Sequence, residues 1–215
     1  FKTANASRQS VLYIPANDGM LHAFNADTGN EMWAYVPRMV MPDLHKLAGT
    51  NYDTAHRYYV DGSPTAMDVF FASTNQWKTI LVGGLNAGGR GYYALDITNP
   101  SSPKGLWEVC ADPTGTLQCT DKDDNIGFTY GQPIITKRPT DDKWVMIVSS
   151  GYNNVSPGDG KGYLFVLDAE TGQILDKVDT GVGDSTTPSG LAKITGFSTN
   201  FAVNNTTTFV YGGDL

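Results

Sequence analysis

Short runs of apolar or alternating residues, separated by turns rich in Gly, Asn, Asp and Pro, recur along the whole chain. Runs of about four to eight residues bounded by such turns are typical of β-strands. The predicted strands are Val11–Ile14, Met20–Asn25, Glu31–Val36, Ser63–Ala72, Lys78–Gly83, Gly91–Ile97, Leu106–Cys110, Gln132–Lys137, Trp144–Ser149, Gly162–Leu167, Ile174–Val178, Leu191–Thr195 and Thr208–Tyr211. The pattern therefore predicts an all-β chain.

One turn recurs at a nearly constant interval. Asn25–Gly29 reads Asn-Ala-Asp-Thr-Gly, Asp168–Gly172 reads Asp-Ala-Glu-Thr-Gly, and Asp96–Pro100 occupies the equivalent place between them. The first residues of these turns lie 71 residues apart (25 to 96) and 72 residues apart (96 to 168). Trp33 and Trp107 follow the first two turns. Four short strands in each unit indicate blades of a β-propeller.

We therefore predict a β-propeller of four-stranded antiparallel blades, with about three blades in this chain. A propeller ring closes with about four to eight blades. We accordingly expect residues 1–215 to form a single partial propeller domain, with its remaining blades supplied from elsewhere.

Residues 38–59, here named the excursion, interrupt the strand pattern between two blades. Their apolar side chains have helical spacing and predict a short helix that ends at Gly49, followed by a polar loop. Long insertions in a regular scaffold are either surface decoration or the functional part. We expect the excursion to bind partners through Arg38, Met39, Leu44, His45 and Tyr52.

The composition narrows the class of partner. Lys and Arg number 15 against 22 acidic residues, which gives a formal net charge of −7. The basic stripe expected of a nucleic-acid interface is not visible. No apolar segment approaches the roughly 18 residues that a membrane-spanning helix needs. We therefore expect neither a nucleic-acid partner nor a membrane-spanning segment in this chain.

Cys110 and Cys119 flank the turn residues Pro113, Thr114 and Gly115. Two nearby cysteines on either side of a turn favour a disulfide, which would indicate an oxidising compartment. The alternative is a pair of reduced and unrelated thiols.

Other motifs carry no catalytic signature. The glycine-rich segment Leu85–Gly91 opens into a strand, whereas a dinucleotide-binding loop opens into a helix. His22 shares a strand face with Met20 and Phe24, which favours a packed histidine. The sequence shows neither a His-x-x-x-His pair nor a Gly-x-Ser-x-Gly elbow. We predict that the four tryptophans pack the blades.

The recurring turn resembles the repeats of quinoprotein-type propellers. Three longer stretches, Ala16–Gly29, His56–Pro64 and Trp77–Pro100, are similar to the C-terminal propeller of the PilY1/PilC family of type IV pilus tip-associated biogenesis and adhesion proteins. Gly127–Pro133 and the terminal Val-Tyr-Gly-Gly-Asp-Leu continue the match in order. The resemblance covers nearly the whole chain.

The resemblance implies a non-enzymatic role in pilus biogenesis, adhesion and twitching motility in Gram-negative bacteria. Its implied partners are minor pilins, the pilus tip, and a host or abiotic surface. The implied location is secreted, at the cell surface or in the periplasm in association with the outer membrane. Two alternatives remain: a quinoprotein-like dehydrogenase, and a periplasmic scaffold for envelope assembly. The vicinal cysteines of the quinoprotein enzymes are missing from this sequence.

The resemblance implies no cofactor other than calcium. The calcium loop of the family is expected at Thr195–Thr208, where this sequence has no carboxylate. Since calcium requires several charged oxygen ligands, we expect this loop to have lost its site. Asp121, Asp123 and Asn125 have the spacing of an oxygen cage, although Ile126 stands where such a loop needs glycine. They are the candidate metal site of this chain, and the alternative is a set of polar loop residues in an acidic protein.

Overall fold

The computed structural model describes residues 1–198 and 206–214. The strands in this part of the chain are β1 Val11–Ala16, β2 Met20–Asn25, β3 Glu31–Tyr35, β4 Thr65–Phe71, β5 Gln76–Gly84, β6 Gly91–Asp96, β7 Lys104–Cys110, β8 Asp121–Lys122, β9 Ile134–Lys137, β10 Trp144–Ser149, β11 Tyr163–Asp168, β12 Ile174–Asp179, β13 Ile194–Phe197 and β14 Phe209–Gly212. Two 3₁₀ helices, Thr3–Asn5 and Met41–Ala48, complete the regular elements of the described ranges.

The strands form four sheets, here named blades 1 to 4. Blade 1 is β1–β2–β3, blade 2 is β4–β5–β6–β7–β8, blade 3 is β9–β10–β11–β12, and blade 4 is β13–β14. Neighbouring strands are antiparallel, except that β8 pairs in parallel with β7. The all-β prediction is confirmed. The short strand β8 was not predicted, because its two residues are polar and carry no strand signal.

The repeated turn has the same geometry in blades 1 and 3. The Asn25 Oδ1 atom accepts hydrogen bonds from the backbone N–H groups two and three residues later, at 2.9 and 3.1 Å. The Asp168 Oδ1 atom accepts the equivalent bonds at 2.9 Å each. Gly29 and Gly172 close the two turns with φ of 72° and 74°, a left-handed conformation that glycine adopts without strain.

Strand β6 lies at the centre of the packing, and all its residues are buried. Tyr92 and Ala94 contribute to an apolar cluster shared by blades 2 and 3, whereas Tyr93 and Leu95 contribute to the cluster shared by blades 1 and 2. Because side chains alternate along a strand, one strand buries its two faces against two different neighbours. A strand that is covered on both faces has a continuous apolar sequence.

Most strand boundaries differ from the predictions by one or two residues, and two differences are larger. The helix of the excursion is a 3₁₀ helix, and Gly49 after it has an extended conformation with φ of −66° and ψ of 137°. The strand predicted over Leu191–Thr195 starts only at Ile194. The carbonyl groups of Leu191 and Ala192 accept hydrogen bonds from Gly151 N and Ser149 Oγ of blade 3. These carbonyls therefore link two blades.

Candidate functional site: the loop face

The long connections of the chain leave the blades at one end. Strand direction alternates in an antiparallel sheet, so the links after β5 and β7 emerge on one side of blade 2, and those after β10 and β12 on one side of blade 3. The link after β3 of blade 1 leads to the start of β4, which lies at the same end of blade 2 as the end of β5. We name this side the loop face. Its segments are residues 36–64, 85–90, 111–133, 150–162 and 180–193.

A buried carboxylate fixes the start of the excursion. Glu108 of β7 accepts hydrogen bonds from Tyr35 Oη at 2.7 Å, Arg38 N at 2.9 Å and Met39 N at 3.1 Å. Burial, and then the Glu108 charge, raise the pKa of Tyr35, so its hydroxyl stays a donor. A buried carboxylate is costly unless its oxygens are hydrogen-bonded, so these three donors fix the end of blade 1 and the start of the excursion against β7.

The apolar candidates of the excursion pack towards the protein. Met39 and Leu44 are half-buried against the cluster shared by blades 1 and 2. A Cβ atom built on Gly19 would lie 2.3 Å from Leu44 Cδ2, so Leu44 rests on a hairpin of blade 1. By contrast, Arg38 and His45 are exposed. Among these four predicted residues, Arg38 and His45 therefore present the most surface to a partner.

Aromatic side chains lie in the excursion and in the two loops next to blade 3. The ring centroids of Tyr52 and His56 lie 5.6 Å apart, and those of His56 and Tyr58 lie 5.1 Å apart. Tyr130 and Tyr152 form a second pair at 5.3 Å. Only Tyr52 was among the predicted residues. The aromatic density of the segment from His56 to Tyr59 was a signal for His56 and Tyr58.

The structure joins Cys110 and Cys119 in a disulfide with an S–S distance of 1.98 Å. Inside this loop, Asp112 Oδ2 accepts a hydrogen bond from Lys122 Nζ at 2.7 Å. That bond lowers the pKa of Asp112 to about 2. Leu117 N also donates to this carboxylate. The loop is therefore held both by the disulfide and by the hydrogen bonds of Asp112.

Asp121, Asp123 and Asn125 have separate partners. Asp121 Oδ2 accepts from Ile174 N at 2.9 Å, and both oxygens of Asp123 accept from Lys177 Nζ at 2.8 and 2.9 Å. Asn125 Oδ1 accepts from a backbone N–H of the 150–162 loop at 2.7 Å. The three residues thus fasten the segment after the disulfide to blade 3.

Metal binding at these three positions stays a prediction. Within residues 1–198 and 206–214, no group of three or more His, Cys, Asp or Glu side chains is arranged to hold a metal ion. The predicted loss of the calcium loop at Thr195–Thr208 falls in part on residues 199–205, which lie outside the described residues.

Arg90 organises the neighbouring loop of blade 3. Its guanidinium donates to the carbonyl oxygens of Asn153 at 2.6 Å, Val155 at 3.0 Å and Pro157 at 3.2 Å. The Cζ atom of Arg90 also lies 5.6 Å from the Phe128 ring centroid. Burial lowers the pKa of Arg90. This residue was missed, although a lone arginine between glycines before a buried strand was a visible signal.

His22 combines the predicted packing with two ion pairs. Its ring stacks on Phe24 at 6.0 Å. Its Nδ1 atom lies 2.6 Å from Glu31 Oε1, and its Nε2 atom lies 3.0 Å from Asp18 Oδ2. The hydrogen bond with Glu31 is the largest cause that raises the pKa of His22. Two carboxylates therefore favour the protonated imidazole.

No helix in the described ranges is long and apolar enough to cross a membrane.

The sequence matches known proteins over its full length. The family model described as the PilY1 beta-propeller domain covers residues 1–215. The Type IV pilus biogenesis factor PilY1 of Pseudomonas aeruginosa strain PAO1 is 37% identical over 219 residues, which cover 100% of this chain and 17% of that protein. A PilY1 homolog of Xylella fastidiosa strain Temecula1 is 36% identical over 215 residues, covering 100% of this chain and 16% of that protein. The chain thus spans about a sixth of the length of these relatives.

The fold also matches a solved structure. The crystal structure of the Pseudomonas aeruginosa PilY1 C-terminal domain aligns with a TM-score of 0.77 and 33% identity, over 99% of this chain and 38% of that one. This likeness confirms the propeller prediction, with the four sheets forming part of a ring. Family, fold and sequence agree: the chain belongs to the PilY1 β-propeller family.

Proposed function

We propose that the chain is a non-enzymatic propeller module of a type IV pilus biogenesis and adhesion protein, acting at the pilus tip. The relatives that it matches are named type IV pilus biogenesis factors, a name that describes an assembly role. Since the chain corresponds to about a sixth of their length, the activity of the whole protein is part of this proposal.

We propose that the loop face docks minor pilins. The observation that carries this proposal is that the long connections share one end of the blades and are held there by Glu108 and Arg90. A binding surface whose loops are already ordered loses less conformational entropy on association. The exposed residues of this face include Arg38, His45 and Tyr58. Recognition would rest on shape and hydrogen bonding rather than on a strong field of one sign.

The proposed location is the pilus tip or the periplasm, in association with the outer membrane, with a host or abiotic surface as the second partner. The disulfide between Cys110 and Cys119 supports an oxidising compartment. In this role the module works without a cofactor.

The docking proposal can be tested with the immobilised 215-residue chain and purified minor pilins. We expect the double variant Arg38→Glu and His45→Glu to weaken binding at least tenfold, because both side chains are exposed on the loop face. The matched control is Lys104→Glu with Lys143→Glu, since both lysines lie at the opposite end of the blades. Deleting residues 39–51 is a poorer test, because Met39 and Leu44 pack against the apolar cluster.

Equal binding by the two double variants would refute docking through the excursion. Copurification of the protein with sheared pili separates the pilus role from that of a periplasmic scaffold. Dye-linked dehydrogenase activity with a visible quinone absorption band would support the enzyme alternative instead.

A further inference from the structure

A polar cavity of about 300 Å³ opens where the first strands of three successive blades begin. Its lining includes Ser63 just before β4, Tyr130 and Gln132 just before β9, and Lys193 just before β13. Asn86, from the hairpin between β5 and β6, completes the polar lining. We name this the axial cavity, because the first strands of the blades surround the central channel of a propeller.

Closely packed backbone forms part of the cavity wall. A Cβ atom on Gly62 would lie 2.2 Å from Gly84 O, and one on Gly131 would lie 2.3 Å from Ala192 O. Such distances exclude any larger residue, so two sides of the cavity are built from main chain.

Four side chains around the cavity have free hydrogen-bonding capacity. Among the described residues, the polar groups of Ser63, Tyr130, Gln132 and Lys193 have no side-chain hydrogen bond or ion pair. Asn86 is fixed differently, since its Nδ2 atom donates to Asp61 O at 3.1 Å. Burial, and then the charge of Asp61, raise the pKa of Tyr130, so this hydroxyl remains a donor.

The positive charge of the lining favours an anionic ligand. Lys193 is the charged residue among those that line the cavity, and the Asp61 carboxylate is outside the lining. Ammonium, hydroxyl and amide donors together match the oxygens of an anion, and bonds from a charged donor are about twice as strong as neutral ones. The cavity has the volume of a small ligand site, enough for a carboxylate on a short stem.

We propose that the axial cavity binds a carboxylate, with Lys193 as its ion-pair partner and Ser63, Gln132 and Tyr130 as hydrogen-bond donors. The chemical class is an acidic side chain or the carboxyl terminus of a polypeptide. This site goes beyond the proposed pilin docking and stands without it, because a small molecule can probe it directly.

The test is a titration of the ¹⁵N-labelled protein, with its propeller ring complete, followed by amide chemical shifts. The probes are N-acetylglycine and N-acetylglycinamide, which have similar shapes and differ in the carboxylate. We expect saturable shifts at Gly62, Gly84 and Gly131 with N-acetylglycine only. Lys193→Met should weaken the binding about tenfold, the size of one charge-assisted hydrogen bond. Lys104→Met removes the same charge at the far end of the blades and should change nothing.

Two further variants keep the test decisive. Ser63→Ala removes one donor without altering charge and should weaken binding severalfold, while Asp61→Asn should strengthen it by removing a like charge. Equal shifts with both probes, no saturable shift, or unchanged binding by Lys193→Met would each overturn the proposal. Saturable shifts with uncharged methyl glucoside that survive Lys193→Met would assign the cavity to hydroxyl-rich ligands instead.

Discussion

The indole Nε1 of Trp107, in the last long strand of blade 2, donates a hydrogen bond to Ala169 O in the repeated turn of blade 3, at 3.1 Å. Trp33 makes the equivalent contact one blade earlier, donating to Pro100 O at 2.7 Å. A Cβ atom on Gly172 would lie 2.5 Å from the Trp107 ring, so this glycine also makes room for the indole. The sequence repeat is thus a repeat of blade-to-blade contacts. In blade 3, the strand position equivalent to that of Trp107 is occupied by the exposed Asp176.

Trp107→Phe should lower the free energy of unfolding by about 1–3 kcal/mol, because it leaves the buried carbonyl of Ala169 without its donor. Urea unfolding measures the loss. Trp77→Phe is the matched control, since Trp77 is 42% exposed and its indole packs against other aromatic rings. A loss for Trp107→Phe no larger than that of the control would refute the role of the indole bond.

Removing the disulfide with Cys110→Ala and Cys119→Ala should lower the free energy of unfolding by about 2–3 kcal/mol, the loop-closure entropy of a ten-residue ring. Chemical denaturation with and without a reducing agent measures this effect. The original protein should lose stability on reduction, whereas the double variant should not respond. Stability that is insensitive to reductant in both proteins would contradict the prediction.

Arg90→Lys should loosen residues 151–160, because an ammonium cannot reproduce the planar fork that holds three carbonyl groups. We expect faster amide hydrogen exchange in this loop, with little change in the β10–β11 ladder. Arg57→Lys, at an exposed position of the excursion, is the control. Unchanged exchange at residues 151–160 would show that Arg90 does not order the loop.

His22 should make stability depend on pH. Its pKa in the folded state is raised above the ordinary value of 6.5. Its contribution is therefore fully present below about pH 6.5 and is lost as pH rises through the folded-state value. We expect Tm to fall more between about pH 5.5 and 8.5 in the original protein than in His22→Gln. His45→Gln, whose imidazole contacts only Pro42 O among the described residues, should behave like the original protein. Equal pH dependence in all three would contradict this role.

The ion pair of Asp123 and Lys177 should couple the disulfide segment to blade 3. The Lys177 ammonium also lies 4.3 Å from the Tyr163 ring centroid. A double-mutant cycle with Asp123→Asn and Lys177→Met should give a coupling energy of about 0.5–1 kcal/mol. Additive effects of the two substitutions would mean that the contact contributes nothing. A cycle with Asp112 and Lys122, an ion pair between the disulfide loop and β8, offers a comparison.

The repeats made the architecture predictable. Strand lengths, turn residues and the intervals between Asn25, Asp96 and Asp168 depend on local chemistry, so they can be read without knowing what lies across the core. The resemblance of long motifs added the family.

The candidate site was less predictable, because it depends on contacts between distant segments. The prediction that Met39 and Leu44 meet a partner could not include their half-burial against the cluster shared by blades 1 and 2. Arg90 finds its three carbonyls 63 to 67 residues later in the chain. No local pattern encodes such a distance.

The sequence alone thus determined an all-β chain, its blade-like repeats and its family, since turns and alternating strands are local properties. Only the tertiary structure decided that the long connections share one end, that Asp121 and Asp123 fasten a loop to blade 3, and that Ser63, Gln132 and Lys193 meet at one cavity. The physical reason is that each of these arrangements requires two or three blades to be packed side by side before the groups come within reach of one another.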